Sequence, residues 1–392
     1  MSEWKEYKLG ELCQRVTSGG TPNTRKNEYY GGEIPWVRTQ EVNFNRIYDT
    51  EIKITKQGLE NSSAKWIPEN SVIIAMYGAT AGKVAINKIP LTTNQACCNL
   101  IINELKADYR FVYYNILSRF SSIANMAVGG AQQNLNAGMI KDLNISTPPL
   151  PTQTAIAEIL SSLDDKIELN NKINQELENL AQTLFKQWFI DFEFPNENGE
   201  PYKSSGGEMV DSELGEIPKG WEAVRLSTLL TVKYGKDHKH LNDGIYPLYG
   251  SGGIMRYVEK PLYQYSSILI PRKGTLSNLF YLEEPFWSVD TMFYTEIHNP
   301  IYGKYLFHCI KELDIASMNV GSAVPSMTTK VLNELIVLNP NNTILSKFDE
   351  VVSAFYETLN FNNQEVKELT NLRDTLLPKL ISGELEINEI KN

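Results

Sequence analysis

Every motif in this chain that could carry covalent chemistry fails on spacing. Gly78-Ala79-Thr80-Ala81-Gly82-Lys83-Val84 comes nearest to a phosphate-binding loop, yet it is one residue short between its glycines and places Val84 where a hydroxyl must meet magnesium. Neither Asn-Pro-Pro-aromatic nor Asp-Pro-Pro-aromatic, the loops that hold an exocyclic amine for methylation, occurs, and no glycine-rich strand-to-helix turn offers S-adenosylmethionine a seat. His238 and His240 stand beside Asp237 and Asp243 without a third convergent ligand, so no metal site is expected. Asp164-Asp165-Lys166 and Glu365-Val366-Lys367 lie in helical stretches, where a solvated face explains them. Gly-x-Ser-x-Gly is missing, and Cys13, Cys97, Cys98 and Cys309 show no Cys-x-x-Cys spacing, which fits a reducing cytoplasm. The chain reads as one that is not an enzyme, with no metal and no cofactor of its own.

What remains is chemistry of recognition. The first half carries Thr17, Ser18, Thr21, Arg25 and Lys26 in one glycine-containing turn, then Arg38, Thr39 and Gln40, then Tyr77, Thr80 and Lys83, then Gln132 and Gln133. The second half carries Lys233, Tyr234, Lys236 and His238, then Tyr249 and Ser251, then Arg272, Lys273 and Thr275, then Ser322 and Ser326. Arg reads guanine and Gln or Asn reads adenine by paired hydrogen bonds in the major groove, while Lys, Thr and Ser hold phosphates. Singly, each cluster is an ordinary polar turn; their recurrence at matching places points to double-stranded DNA.

The recurrence is that of a duplicated unit. Trp4-Lys5-Glu6-Tyr7-Lys8-Leu9 is echoed by Trp221-Glu222-Ala223-Val224-Arg225-Leu226, Ile34-Pro35-Trp36-Val37 by Tyr246-Pro247-Leu248-Tyr249, and Ser71-Val72-Ile73-Ile74 by Ser267-Ile268-Leu269-Ile270. Val128-Gly129-Gly130-Ala131 then finds Val320-Gly321-Ser322-Ala323, and Ile140-Lys141-Asp142-Leu143 finds Leu332-Asn333-Glu334-Leu335, with order kept throughout. Within each copy, short β-rich runs bounded by Gly, Pro and Asn give way to the helical period. Ile156, Leu160, Leu163 and Ile167, then Ile173, Leu177, Leu180, Leu184 and Trp188, form one stripe with a phase slip near Asn170; Ile344, Phe348, Val351, Phe355, Leu359, Val366, Leu369, Leu372, Leu376 and Leu380 form the other. About 40 residues of helix make a rod of roughly 60 Å. The two stripes are expected to pack on each other, with Asn170 and Asn362 near the seam fixing register.

The expected fold is α+β: two tandem globular α/β domains, each followed by a long helix, the helices pairing as an antiparallel coiled coil with pseudo-twofold symmetry. The expected boundaries are 1–151 for the first domain, 152–193 for the central helix, 194–220 for an exposed linker, 221–340 for the second domain and 341–392 for the last helix. Charge follows this division. The net charge of −10 is not spread evenly: residues 1–150 hold 16 Lys+Arg against 13 Asp+Glu, and residues 151–220 hold 5 against 14. Acid therefore gathers on the helices rather than on the candidate DNA loops. No segment runs to 18 apolar residues, so neither membrane insertion nor secretion is expected.

These residues resemble the specificity subunit of type I restriction-modification systems along essentially the whole chain. The resemblance rests on Thr17-Ser18-Gly19-Gly20-Thr21-Pro22, on Pro148-Pro149-Leu150-Pro151-Thr152-Gln153, on Leu184-Phe185-Lys186-Gln187-Trp188-Phe189 and on the string from Gly207 to Trp221. Leu376-Leu377-Pro378-Lys379-Leu380-Ile381-Ser382-Gly383 matches the family's usual ending. It implies two target-recognition domains that each read half of a split DNA sequence, and helices that serve as spacer and as docking surface for two methyltransferase subunits. Leu160, Leu163, Leu184, Trp188, Phe189, Leu376 and Leu380 are the docking side chains expected on that basis. S-adenosylmethionine for adenine N6 methylation, ATP and magnesium would belong to partners, among them restriction subunits. The second copy lacks the Pro-Leu-Pro-x-Gln run of the first, which sets the equivalence of the two docking surfaces apart as a separate question. Two alternatives are a specificity subunit of a fused methylase-nuclease and a free-standing duplicated DNA-binding regulator; a purely structural coiled-coil adaptor is a third.

Overall fold

The computed structural model describes residues 4–128, 134–273, 275–313, 318 and 326–387. Two compact units divide the chain: Met1–Asn170 together with Gln364–Asn392, and Asn171–Asn363. The division falls in the middle of both long helices, Leu150–Phe189 and Asn342–Ser382, so each unit owns half of each helix.

In the first unit a five-stranded sheet runs in the order Cys13–Ser18, Cys97–Ile102, Val72–Ala75, Val84–Asn87, Asn45–Ile47, antiparallel except for its last pair. A three-stranded sheet sets Tyr30–Val37 between Lys53–Ile54 and, in parallel, Thr92–Thr93. Val72–Ala75 is buried along its whole length, which is why it reads as a continuous apolar run instead of an alternating one. Leu9, Leu12, Ile74, Leu100 and Phe111 form the core, and Ile156, Leu160, Leu377 and Leu380 of the long helices close it.

The second unit repeats the plan. Its larger sheet runs Leu230–Tyr234, Met292–Ile297, Ser267–Pro271, Phe280–Leu282, and its smaller one sets Asp243–Gly250 between Gly253–Val258 and the parallel Trp287–Ser288. The edge pair Lys5–Lys8 with Asn144–Thr147 recurs as Glu222–Arg225 with Ile336–Asn339. Here the helices close the core with aromatic rings: Phe189 meets Phe348 at 5.0 Å and Tyr305 at 4.7 Å, both edge to face.

The helices are antiparallel within each unit. In the first, Arg373 reaches Asp164 at 2.8 Å while Glu365 takes Lys166 at 3.0 Å and Asn170 at 2.7 Å, so numbers fall on one helix as they rise on the other. In the second, Asn362 donates to Asn174 at 2.9 Å and Asn174 to Asn363 at 2.9 Å. Asn170, Asn174 and Asn362 are all buried, the polar seam expected at Asn170 and Asn362. Such pairs are satisfied in one register alone, because a slip would strand an amide in an apolar stripe.

The central helix begins at Leu150, ahead of the expected 152, and both helices end short of their expected limits, at Phe189 and Ser382, for identifiable reasons. Gln153, 2% exposed, donates to the Pro148 carbonyl at 2.9 Å and accepts from the Asp108 amide at 3.1 Å, which ties the first turn of the central helix to its domain. Asn341, in the copy that lacks this run, caps the Ile344 amide at 2.9 Å. The central helix stops at Phe189 ahead of Phe192, whose φ of 62° breaks the right-handed path, and the last helix stops ahead of Gly383 at φ 77°. The expected linker is only partly exposed. Phe192, Phe194 and Ile217 are buried, Phe194 stacks on Trp221 at 5.0 Å and on Tyr202 at 4.6 Å, and Met209–Ser212 pairs with Gly215–Pro218. Aromatic residues inside a Gly- and Pro-rich stretch anchor it to the core of the second unit.

Candidate nucleic-acid interface

Five backbone hydrogen bonds build the same loop cluster in both units. In the first, Gly19 donates to Cys97 at 3.4 Å, Gly20 to Thr93 at 2.9 Å, Asn94 to Val37 at 2.9 Å, Met76 to Ala96 at 2.8 Å and Leu135 to Met76 at 3.1 Å. In the second, Gly235 donates to Met292 at 3.0 Å, Lys236 to Ser288 at 2.8 Å, Val289 to Tyr249 at 3.1 Å, Arg272 to Thr291 at 2.9 Å and Met327 to Arg272 at 2.9 Å. The first residue after the first strand of the larger sheet must be glycine: a Cβ on Gly19 would lie 2.0 Å from the Thr93 carbonyl oxygen, and one on Gly235 would lie 2.0 Å from that of Val289. A tryptophan seals each turn from a different strand. Trp36 Nε1 donates to the Gly20 carbonyl at 2.9 Å, and Trp287 Nε1 to that of Lys236 at 3.1 Å.

The cluster brings together Ser18, Thr21 and Tyr77 in the first unit, with Leu135 beside them; Gln132 and Gln133 lie outside the described residues. Thr21 hydrogen-bonds Gln95, an exposed side chain from the turn before the Cys97 strand. Sequence reasoning passed over Gln95. The signal was present in Thr92-Thr93-Asn94-Gln95, a polar run at a strand end, but only the strand pairing shows that it faces Thr21. Thr17 lies on the strand that leads into the cluster, and Thr80 in the turn that follows Tyr77.

Other expected contacts are diverted. Arg38 follows Val37 to this same end, yet its guanidinium reaches Glu51 at 2.5 Å and its amide donates to Glu41 at 2.9 Å. The Gln40 amide lies against the Arg38 guanidinium, and Thr39 begins the 3₁₀ turn beneath. Lys83 donates to Asn43 at 2.7 Å and sits over the Phe44 ring at 5.5 Å. Lys26 lies over Tyr29 at 5.0 Å, and Arg25 is exposed on the same turn.

In the second unit Tyr234, Lys236, Arg272, Lys273 and Thr275 share the cluster; Ser322 lies outside the described residues, and Ser326 forms an isolated bridge to Lys273. Asp290, unremarked in the sequence, occupies the place of Gln95. Lys233 pairs with Glu296 at 3.4 Å. His238 holds the neighbouring loop by accepting from Arg256 at its carbonyl, 2.8 Å, while its Nδ1 is buried without a partner among the described residues. The Ser251 carbonyl accepts from Asn278 at 2.9 Å. Tyr249 departs from expectation: it is 7% exposed, packs on Phe280 at 5.5 Å, and burial pushes its hydroxyl up to about 12. It is a core residue, because this end of its strand is covered on both faces, Leu248 beside it being buried as well.

The expected docking side chains are covered to different degrees. Leu160, Trp188, Phe189 and Leu380 are buried in the cores, and Leu163, Leu184 and Leu376 are half-buried. Much of each periodic stripe packs its helix onto this chain's own cores. Exposed apolar side chains on the helices include members of the stripes, Ile173, Leu180, Val351 and Leu372, and two that stand off them, Leu169 and Phe361. Among the described residues no cluster of His, Cys, Asp and Glu could hold a metal ion. No described helix is long and apolar enough to cross a membrane.

A model of the type I restriction modification DNA specificity domain matches residues 1–179 and 218–371. The chain belongs to that family. Two matched stretches, one in each half, are the duplication read from the sequence. The type I restriction enzyme MjaIX specificity subunit of Methanocaldococcus jannaschii is 30% identical over 99% of this chain and 95% of its own length. The HindI specificity subunit of Haemophilus influenzae is 24% identical over 98% of this chain and 100% of its own. A crystal structure of the type I restriction-modification S subunit from M. genitalium has the same fold, with a TM-score of 0.62 at 21% identity over 97% of this chain and 96% of that one. As a specificity subunit the chain is a recognition component and not an enzyme, with two tandem α/β domains and paired long helices.

Proposed function

We propose that this specificity subunit reads a bipartite double-stranded DNA target, one half with each unit's loop cluster, within a type I restriction-modification complex. The observation that supports this reading most directly is the doubled set of five backbone hydrogen bonds: one scaffold, used twice, carries Ser18, Thr21, Tyr77 and Gln95 in one copy and Tyr234, Lys236, Arg272, Lys273 and Asp290 in the other. A scaffold shared by two different side-chain sets is what a target with two unlike halves requires, because base edges are told apart by donor and acceptor pattern. Methyltransferase subunits would dock on the helices, through exposed apolar side chains such as Leu180 and Phe361 of the second unit. Those partners would bring S-adenosylmethionine for adenine N6 methylation; restriction subunits would bring ATP and magnesium. The assembly would work in the cytoplasm, where the DNA is.

The test is a map of N6-methyladenine across the source genome with this gene intact and deleted. Loss of one split motif, with unread bases between its halves, is expected. An unchanged map would favour a DNA-binding regulator outside methylation and overturn the reading.

A further inference from the structure

Arg272 occupies a backbone position that both units build identically and fill differently. Its amide donates to Thr291 at 2.9 Å and its carbonyl accepts from Met327 at 2.9 Å; in the first unit Met76 makes the same two bonds, to Ala96 at 2.8 Å and from Leu135 at 3.1 Å. Met76 is 2% exposed and belongs to the core. The guanidinium of Arg272 instead lies over the Tyr234 ring, 5.6 Å from its centroid. That ring is half exposed and is braced from behind by Phe293, edge to face at 5.1 Å.

Three features make this arrangement a reader. The Cα is pinned on both sides, so the side chain departs from a fixed point. The guanidinium lies within cation–π reach of the Tyr234 ring, which limits the directions its planar fork can take. No ion pair from any described residue neutralises it, whereas Arg38 is tied to Glu51 and Lys233 to Glu296. A planar fork held in one orientation matches the O6 and N7 acceptors of guanine in the major groove. A phosphate would be served as well by a mobile ammonium, and exposed Lys273 next in the chain supplies one.

We infer that Arg272, placed over Tyr234, reads a guanine in the half-site of the second unit and that the first unit has no counterpart. This rests on the reading of the second unit as a DNA-recognition domain. With the target known from the methylation map, the full complex with its methyltransferase subunits is measured for binding to the cognate duplex and to duplexes changed at one base pair each. The wild type should discriminate at the guanine by roughly 5- to 150-fold. Arg272→Lys, which keeps the charge and loses the fork, should bring discrimination at that one position to within about two-fold while every other position is unaffected. Tyr234→Leu, which removes the platform alone, should weaken the same position and no other. Equal weakening on all duplexes, cognate and random, would make Arg272 a phosphate contact and overturn the inference. Discrimination retained at every position would overturn it as well, and in both cases the bipartite reading would stand, since it rests on the motif.

Discussion

Protonation of one buried histidine should govern the acid stability of the second unit. His308 is 1% exposed, stacked with Phe185 at 6.0 Å, and held at both ring nitrogens: Nδ1 lies 2.7 Å from Gln182 Oε1, and Nε2 lies 3.3 Å from the Tyr356 hydroxyl. Gln182 is itself oriented because its amide nitrogen donates to Glu312 at 2.5 Å, so its oxygen must face the imidazole. The neutral tautomer with the proton on Nδ1 satisfies every partner. Burial, with Lys311 adding to it, holds the group down from 6.5 to about 3. The folded state thus refuses a proton that the unfolded chain accepts below its ordinary value. Stability is full above pH 6.5 and is lost as pH falls toward 3. Between pH 7 and pH 5 the linkage amounts to about 2 kcal/mol, which for a domain of this size lowers the melting temperature by about 4–8 °C. The assay is thermal unfolding of the full chain at both pH values, wild type against His308→Gln. Groups common to the two proteins cancel in the difference, and the variant should lose most of the pH-dependent shift whatever its stability at pH 7. Equal pH-dependent shifts in the two proteins would refute the buried neutral histidine.

The seam should show non-additivity in denaturant unfolding. Asn174→Leu alone leaves the Asn362 amide buried without its acceptor and should cost about 1–3 kcal/mol, whereas Asn174→Leu with Asn362→Leu should recover most of that loss. Core and surface apolar residues of the same helix should part ways: Phe189→Ala is expected to cost about 3–5 kcal/mol, while Leu180→Ser stays within about 0.5 kcal/mol yet weakens capture of the methyltransferase subunit. Lys273→Ala should lower DNA affinity on all sequences and reduce the slope of log affinity against log salt by about one, read from binding at several salt concentrations.

Much was decided by local chemistry and could be read along the chain. The duplication, the short buried strands, the two helical stripes and the polar positions Asn170 and Asn362 follow from periodicity and residue type, which act over a few residues. The resemblance to the family was carried by motif strings instead, such as Pro148–Gln153 and the run from Gly207 to Trp221. What periodicity leaves open is which partner an apolar stripe meets. Leu160, Phe189 and Leu380 have the spacing of an interface, and the fold uses them to close the chain's own cores while leaving Leu180 and Leu372 of the same stripes exposed. The loop clusters were decided by long-range pairing as well. Gln95 meets Thr21 because Cys13–Ser18 pairs with Cys97–Ile102, and Arg38 is drawn to Glu51 by a neighbouring strand. Strand partners far apart in sequence set which side chains share a surface, and the tertiary structure, by fixing those partners, made Tyr249 core and left Arg272 at the surface over an aromatic ring.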